Sequence, residues 1–234
     1  MRSITKRGEP QALTAWKREM QVVPQNLQYG NLPSDVKDEV KRALLQEQGW
    51  LCAYTLRRLR DGASCHIEHV MPQGLAPDLD LDYSNLAACF PPDGGDVSHG
   101  YGAPVKAGQA VRLNIDFVSP HGPACEVRFQ FDTKGSVQGA QGDLAAQRTV
   151  DLLKLDDRSL GELRRSAIEA HGLGLVRRTN RVARKLKSAA EARRFAAEVL
   201  MTDHGGRLEP FCVALAQVAL AYAEKEEARS QRLR

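Results

Sequence analysis

The sequence predicts an α+β protein, and three observations carry that expectation. Two short apolar runs, 65–70 and 85–89, have the length of paired strands, the first closed by Pro72 and the second opened by Asn85. Two alternating runs follow, Val111, Leu113, Ile115 and Phe117 and then Val127, Phe129 and Phe131, which read as a half-buried β-hairpin. From about residue 146 onward apolar residues recur at helical spacing instead.

Taken in order, residues 1–33 mix charge, Gln and Pro with little periodicity and read as an N-terminal arm or interface segment. Ser34, after Pro33, is placed to cap a helix with Val36, Val40, Ala43 and Leu44 on one face and Gly49 as its stop. This helix opens a core of residues 34–145. Cys52 to Leu59 suits a turn or short strand, with Arg57, Arg58 and Arg60 either contacting phosphate or forming a solvated basic edge. Cys65 to Val70 is the first strand of a hairpin, and 85–89 the second. The loop between them is rich in Pro, Gly and Asp. Its alternating Asp78, Asp80 and Asp82 lack the central Gly and late Glu of a calcium loop. Residues 93–108 hold five glycines and Pro104, a poor composition for a helix. The hairpin over 111–131 is assigned structure, not chemistry.

Residues 146–234 form a helical C-terminal region. Ser159-Leu160-Gly161-Glu162 reads as a capping box, with Leu160, Leu163, Ala167 and Ile168 on the buried face. A second helix is expected from about Asn180 to Leu200. A third starts at Pro210, with Phe211, Leu215, Val218, Ala219 and Tyr222 at helical spacing.

At 234 residues the chain can bury one good core or a core with a helical appendage. Its 33 basic and 29 acidic residues leave a net charge of +4, too mild to identify a nucleic-acid partner alone. Charge is concentrated locally, however: Arg177, Arg178, Arg181, Arg184, Lys185 and Lys187 follow one another with no acid between. Such a run is either a solvated helix face or a surface that tracks phosphates. No apolar run reaches membrane-spanning length and no signal-peptide core is visible, so a cytoplasmic protein without membrane attachment is expected. The five cysteines, an odd number, argue for reduced thiols rather than a disulfide framework.

The chemistry concentrates in His66-Ile67-Glu68-His69-Val70-Met71-Pro72-Gln73 and in Asn85 a few residues later. A carboxylate beside an imidazole is what a one-metal phosphodiesterase needs: Glu68 to hold a divalent cation, His69 to take the proton from an attacking water. The structural alternative is a satisfied polar cluster of His66, Glu68 and His69 on a strand of an unrelated fold.

This pattern resembles the HNH endonucleases, whose site is a ββα-metal hairpin. The opening Met1-Arg2-Ser3-Ile4-Thr5-Lys6, Glu9-Pro10, Leu13-Thr14, the Cys52-Ala53-Tyr54-Thr55 block and Cys125-Glu126 resemble one branch, which includes the nuclease subunit of Septu-type and retron-linked anti-phage systems. The resemblance implies a ββα-metal core with an added β-hairpin. It also implies catalytic roles for Glu68, His69 and Asn85, Asn85 bracing the loop that bears the base. His99 would be the third motif residue and second metal ligand, with Asp96 its rival, and Lys106 would meet phosphate. The cation would be Mg2+ or another such as Mn2+, and the substrate DNA. A partner is implied too, an ATPase of the ABC or chromosome-maintenance kind.

Zinc is an open alternative at Cys52 and Cys89, where the family often carries Cys-x-x-Cys pairs. Cys65 with His66 or His99 could complete a tetrahedral set, or the thiols could be buried as small hydrophobes. Two other functional readings remain: a catalytically silent nucleic-acid-binding subunit, and a nuclease acting on RNA.

Overall fold

A computed structural model describes residues 1–173, 186 and 188–232. The mixed helix and strand content agrees with an α+β protein, and its two sheets are small antiparallel pairs. Residues 1–33, expected as an arm or interface segment, pack against the rest of the chain. Met1, Ile4, Leu13, Trp16 and Leu32 are buried in the same core as the strands. The Ile4 amide donates to the Pro120 carbonyl (2.8 Å), and Ser3 donates to Glu126 through its amide and hydroxyl. Helix α1 (Gln11–Met20) lies in this stretch and buries Leu13 and Trp16, three residues apart on one face.

Helix α2 (Ser34–Glu47) buries Val36, Val40, Lys41, Leu44 and Leu45. Ser34 does not cap it; Pro33 takes that position without a side-chain bond, and Ser34 is already helical. The predicted stop holds, with Gly49 at φ +59° against Leu208. Just before it, the buried Gln48 carboxamide donates to Leu51 O and Ala88 O and accepts from Ala88 N. A side chain thereby caps the open edge of the next sheet and ties it to α2.

That sheet pairs β1 (His66–His69) with β2 (Leu86–Cys89), in the register His66 to Cys89, Ile67 to Ala88, Glu68 to Ala87 and His69 to Leu86. The glycine-rich stretch contributes one helical turn, α3 (Ala103–Lys106), entered through Gly102 at φ +78°.

The second hairpin is displaced from its predicted place. Strand β3 (Phe129–Phe131) pairs with β4 (Val137–Gly139), not with 111–117. The Asp132 carboxylate accepts from the Lys134 and Ser136 amides, and Gly135 adopts φ +83°, so a tight turn closes the strands locally. The 111–117 run instead coils around an Arg112–Asp116 ion pair, with Asn114 at φ 61°.

Helices α4 (Leu144–Leu153), α5 (Arg158–Ala170), α6 (Ala189–Glu198) and α7 (Cys212–Arg232) complete the fold. Asp157, not Ser159, caps α5, accepting from the Ser159 and Leu160 amides. The helix expected from Asn180 begins, among the described residues, at Ala189 behind a Ser188 cap. No helix among the described residues is long and apolar enough to cross a membrane.

Candidate active site

The end of β1 and the loop after it position the predicted base. Asn85 is buried and fastens that loop: its Oδ1 accepts from Met71 N (2.7 Å), and its Nδ2 donates to Met71 O (3.0 Å) and Leu79 O (3.2 Å). Its own carbonyl accepts from Val70 N at 2.9 Å. A carboxamide carries the donor and the acceptor that pairing with both backbone groups of Met71 requires.

His69 is the last residue of β1, where the strand passes into this loop. Its Nε2 is 2.8 Å from Asp80 O, and a carbonyl can only accept, so Nε2 carries the proton and Nδ1 keeps the lone pair. The ring is also fixed edge-on by Tyr29, with centroids 4.8 Å apart, while the Tyr29 amide donates to the Asp80 carboxylate. Burial lowers the pKa of His69 below its ordinary value, against the raising influence of Asp80, which keeps the imidazole neutral.

Glu68, the preceding residue, has partners of its own. Its Oε1 accepts from Lys106 Nζ at 2.8 Å and from the Tyr54 hydroxyl at 3.2 Å. Lys106 also donates to the His69 carbonyl at 2.9 Å and is 1% exposed. Glu68 Oε2 faces His66 Nε2 at 3.6 Å, and the two side chains remain partly open, at 14% and 19%. Burial would raise the pKa of Glu68, but His66 and Lys106 together hold it below the usual carboxylate range.

An HNH-type site needs a divalent cation. Mg2+ is commonly held by one or two carboxylates together with waters and substrate phosphates. A carboxylate held below its usual pKa, with Oε2 not engaged by Lys106 or Tyr54, fits that demand. The rest of the predicted ligand set does not assemble. His99 is not brought to Glu68, because its ring nitrogens face Asp96 O and Tyr101 O, each at 3.1 Å, and its ring packs against Phe90 and Tyr101. Asp96 is exposed and accepts from Ser98. No group of three or more His, Cys, Asp or Glu that could hold a metal exists among the described residues.

Other expectations shift as well. Lys106 is not placed to meet phosphate, since its ammonium is enclosed and committed to Glu68 and the His69 carbonyl. Arg58 donates to the carbonyls of Gly49, Trp50 and Leu208, a backbone clamp rather than a phosphate contact. Arg57 lies over the Phe90 ring, 4.0 Å from its centroid, and donates to the Tyr101 hydroxyl. The basic cluster of Arg177, Arg178, Arg181, Arg184, Lys185 and Lys187 lies outside the described residues.

Cys52 and Cys89 are buried, and Cys52 Sγ accepts from Phe90 N, but Cys65 turns to the carbonyls of Asp61 and Gly62. Two thiols are half of a structural zinc set, so the residues do not fit zinc here. Burial pushes the Cys89 thiol well above its ordinary pKa. At Cys52 burial is outweighed by Cys89 and Thr55, which hold that thiol below it.

Two contributors carry no signal in the sequence: Tyr54 on Glu68 and the Asp80 carbonyl on His69. The nearness of His66 to Glu68 matches the polar cluster weighed above, because residues i and i+2 of a strand share a face.

No family model matches the chain. It is 28% identical over 142 residues to a protein of Vibrio cholerae serotype O1 biovar El Tor, described as the proposed HNH endonuclease of retron Vc95. The alignment takes in 57% of this chain and spans 65% of that relative. The similarity supports the resemblance to HNH endonucleases and, at family level, a nuclease.

Proposed function

We propose that this chain is a metal-dependent endonuclease that hydrolyses phosphodiester bonds in DNA through a ββα-type site formed by β1, β2 and α3. The observation that carries the reading is the 2.8 Å contact of His69 Nε2 with Asp80 O: a carbonyl only accepts, so Nε2 donates and Nδ1 is left to accept a proton, on the residue next to the Glu68 carboxylate. Glu68 would hold a divalent cation through Oε2, and when bound that ion supplies charge stabilisation to the phosphate and the leaving oxygen. His69 takes the proton of the attacking water at Nδ1. Asn85 reacts with nothing; it keeps the loop closed so that the imidazole stays aimed. Lys106 holds Glu68 ionised and fixes the backbone at His69.

The resemblance, together with a relative described as part of a retron, supports placing this nuclease in an anti-phage system beside an ATPase partner of the ABC or chromosome-maintenance kind. The basic run from Arg177 to Lys187 is the proposed phosphate-tracking segment.

Purified protein is incubated with plasmid DNA and with RNA, with Mg2+, Mn2+ or chelator, beside His69→Ala. Metal-dependent nicking that falls about 100- to 10,000-fold in the variant, with DNA retardation retained, supports the proposal. Equal activity in both proteins refutes it. One observation favours a second reading: the Lys106 ammonium on Glu68 already neutralises the carboxylate, as a silent nucleic-acid-binding subunit could tolerate. Retardation without cutting, with and without the partner ATPase, would select that reading, and cutting confined to RNA would change the substrate.

A further inference from the structure

His66 and Glu68 stand two residues apart on β1, so their side chains rise from the same face of the strand. The His66 ring is oriented from behind. Its Nδ1 is hydrogen-bonded to the Pro91 carbonyl just past the end of β2, and a carbonyl can only accept. Nδ1 therefore carries a proton, and Nε2 is the nitrogen presented to Glu68. A histidine fixed through Nδ1 by a backbone carbonyl, with Nε2 turned toward a carboxylate, is the usual outer-shell arrangement of a metal-ligating imidazole.

The gap between the two atoms is informative. Nε2 and Oε2 are 3.6 Å apart. A direct charge-assisted N–H···O bond would close to about 2.7–2.9 Å. A separation of 3.6 Å is short enough for both donors to reach one ion at about 2.1 Å each. The other Glu68 oxygen is already occupied by Lys106 and Tyr54, which leaves Oε2 as the one turned to His66. Both side chains keep some solvent exposure, 19% for His66 and 14% for Glu68.

We infer that His66 is the second protein ligand of the cation held by Glu68, taking the place that the sequence reading gave to His99. The inference rests on Glu68 being a cation ligand. One nitrogen and one oxygen donor make the site softer than a carboxylate alone, so it favours Mn2+, Co2+ or Zn2+ over Mg2+.

Mn2+ binding to the full chain, followed by electron paramagnetic resonance, tests this without reference to cleavage. Wild type, His66→Ala, His66→Asp, His99→Ala and Glu68→Gln are titrated with Mn2+, and pulsed spectra report whether an imidazole nitrogen is coupled to the ion. The expected result is nitrogen coupling in wild type and His99→Ala, and its loss in both His66 variants. Affinity should weaken on the order of tenfold to a hundredfold in His66→Ala. His66→Asp, which restores an oxygen donor, should recover binding without the nitrogen signal and so separates ligand loss from misfolding. Nitrogen coupling that persists in His66→Ala, or disappears in His99→Ala, overturns the inference while leaving Glu68 as ligand. Binding that is absent in wild type, or survives unchanged in Glu68→Gln, overturns the metal reading itself and this inference with it.

Discussion

Replacing Lys106 by methionine keeps the length of the side chain and removes its charge, which isolates the contribution of the enclosed ammonium. Two bonds are lost, to Glu68 Oε1 at 2.8 Å and to the His69 carbonyl at 2.9 Å. Breaking a buried ion pair by removing one partner costs about 3–5 kcal/mol. The lower half of that range applies, because Glu68 is 14% exposed and retains Tyr54. A loss of about 3 kcal/mol corresponds to roughly 6–12 °C in Tm for a chain of this size. The assay is urea and thermal unfolding at pH 7 of wild type, K106M, Glu68→Gln and the double variant. Each single variant leaves one charge or lone pair without its partner, so the double variant should be less destabilised than the two losses added, by about 1.5 kcal/mol or more. A K106M protein within about 0.5 kcal/mol of wild type, with weakened DNA retardation, would refute the argument and restore Lys106 as a phosphate contact.

Asn85→Ala removes three side-chain hydrogen bonds and leaves the Met71 amide without its partner; it should cost about 2–4 kcal/mol in chemical denaturation and lower kcat while KM changes little. His121 has its pKa lowered to about 4, first by burial and then by Lys6. Since the unfolded chain binds that proton more readily, its contribution is complete above about pH 6.5 and is lost as pH falls toward 4. Wild type should therefore lose about 2 kcal/mol more than His121→Phe between pH 7 and 4.5 in urea titrations, after allowing for partial exposure. Gly135→Ala places a Cβ 2.1 Å from the Gly161 carbonyl at φ +83°, and should destabilise by at least about 2 kcal/mol in thermal melts.

The paired strands and the fastening of the intervening loop by Asn85 are legible in the sequence because each depends on short-range order: a strand run, a proline stop, and an amide at the far end of the loop. Errors arose where distance in sequence decided the contact. Lys106 looked like a surface cation because nothing in its glycine-rich neighbourhood announces that one helical turn inserts it beneath β1. His99 was assigned by its order in the chain, whereas its ring is taken by the carbonyls of its own loop. The segment before α2 has no long period, since Met1 and Ile4 precede α1 and only Leu13 and Trp16 form a stripe on it. The second hairpin slipped because alternation fixes which residues can form a strand but leaves its partner to the turn, and the Asp132–Gly135 turn lies closer than the Pro-containing connection.

The loop joining β1 to β2 is held at three depths: near its start by Met71, near its end by Leu79, and at Asp80, whose carbonyl steers His69. Between those anchors, Gln73, Gly74 and Leu75 are solvent-facing, and a side chain added at Gly74 would meet nothing within 4 Å. Added length should therefore be tolerated best at that tip. Grafted peptides should be accommodated there, while one residue inserted between Leu79 and Asn85 would throw the imidazole out of alignment.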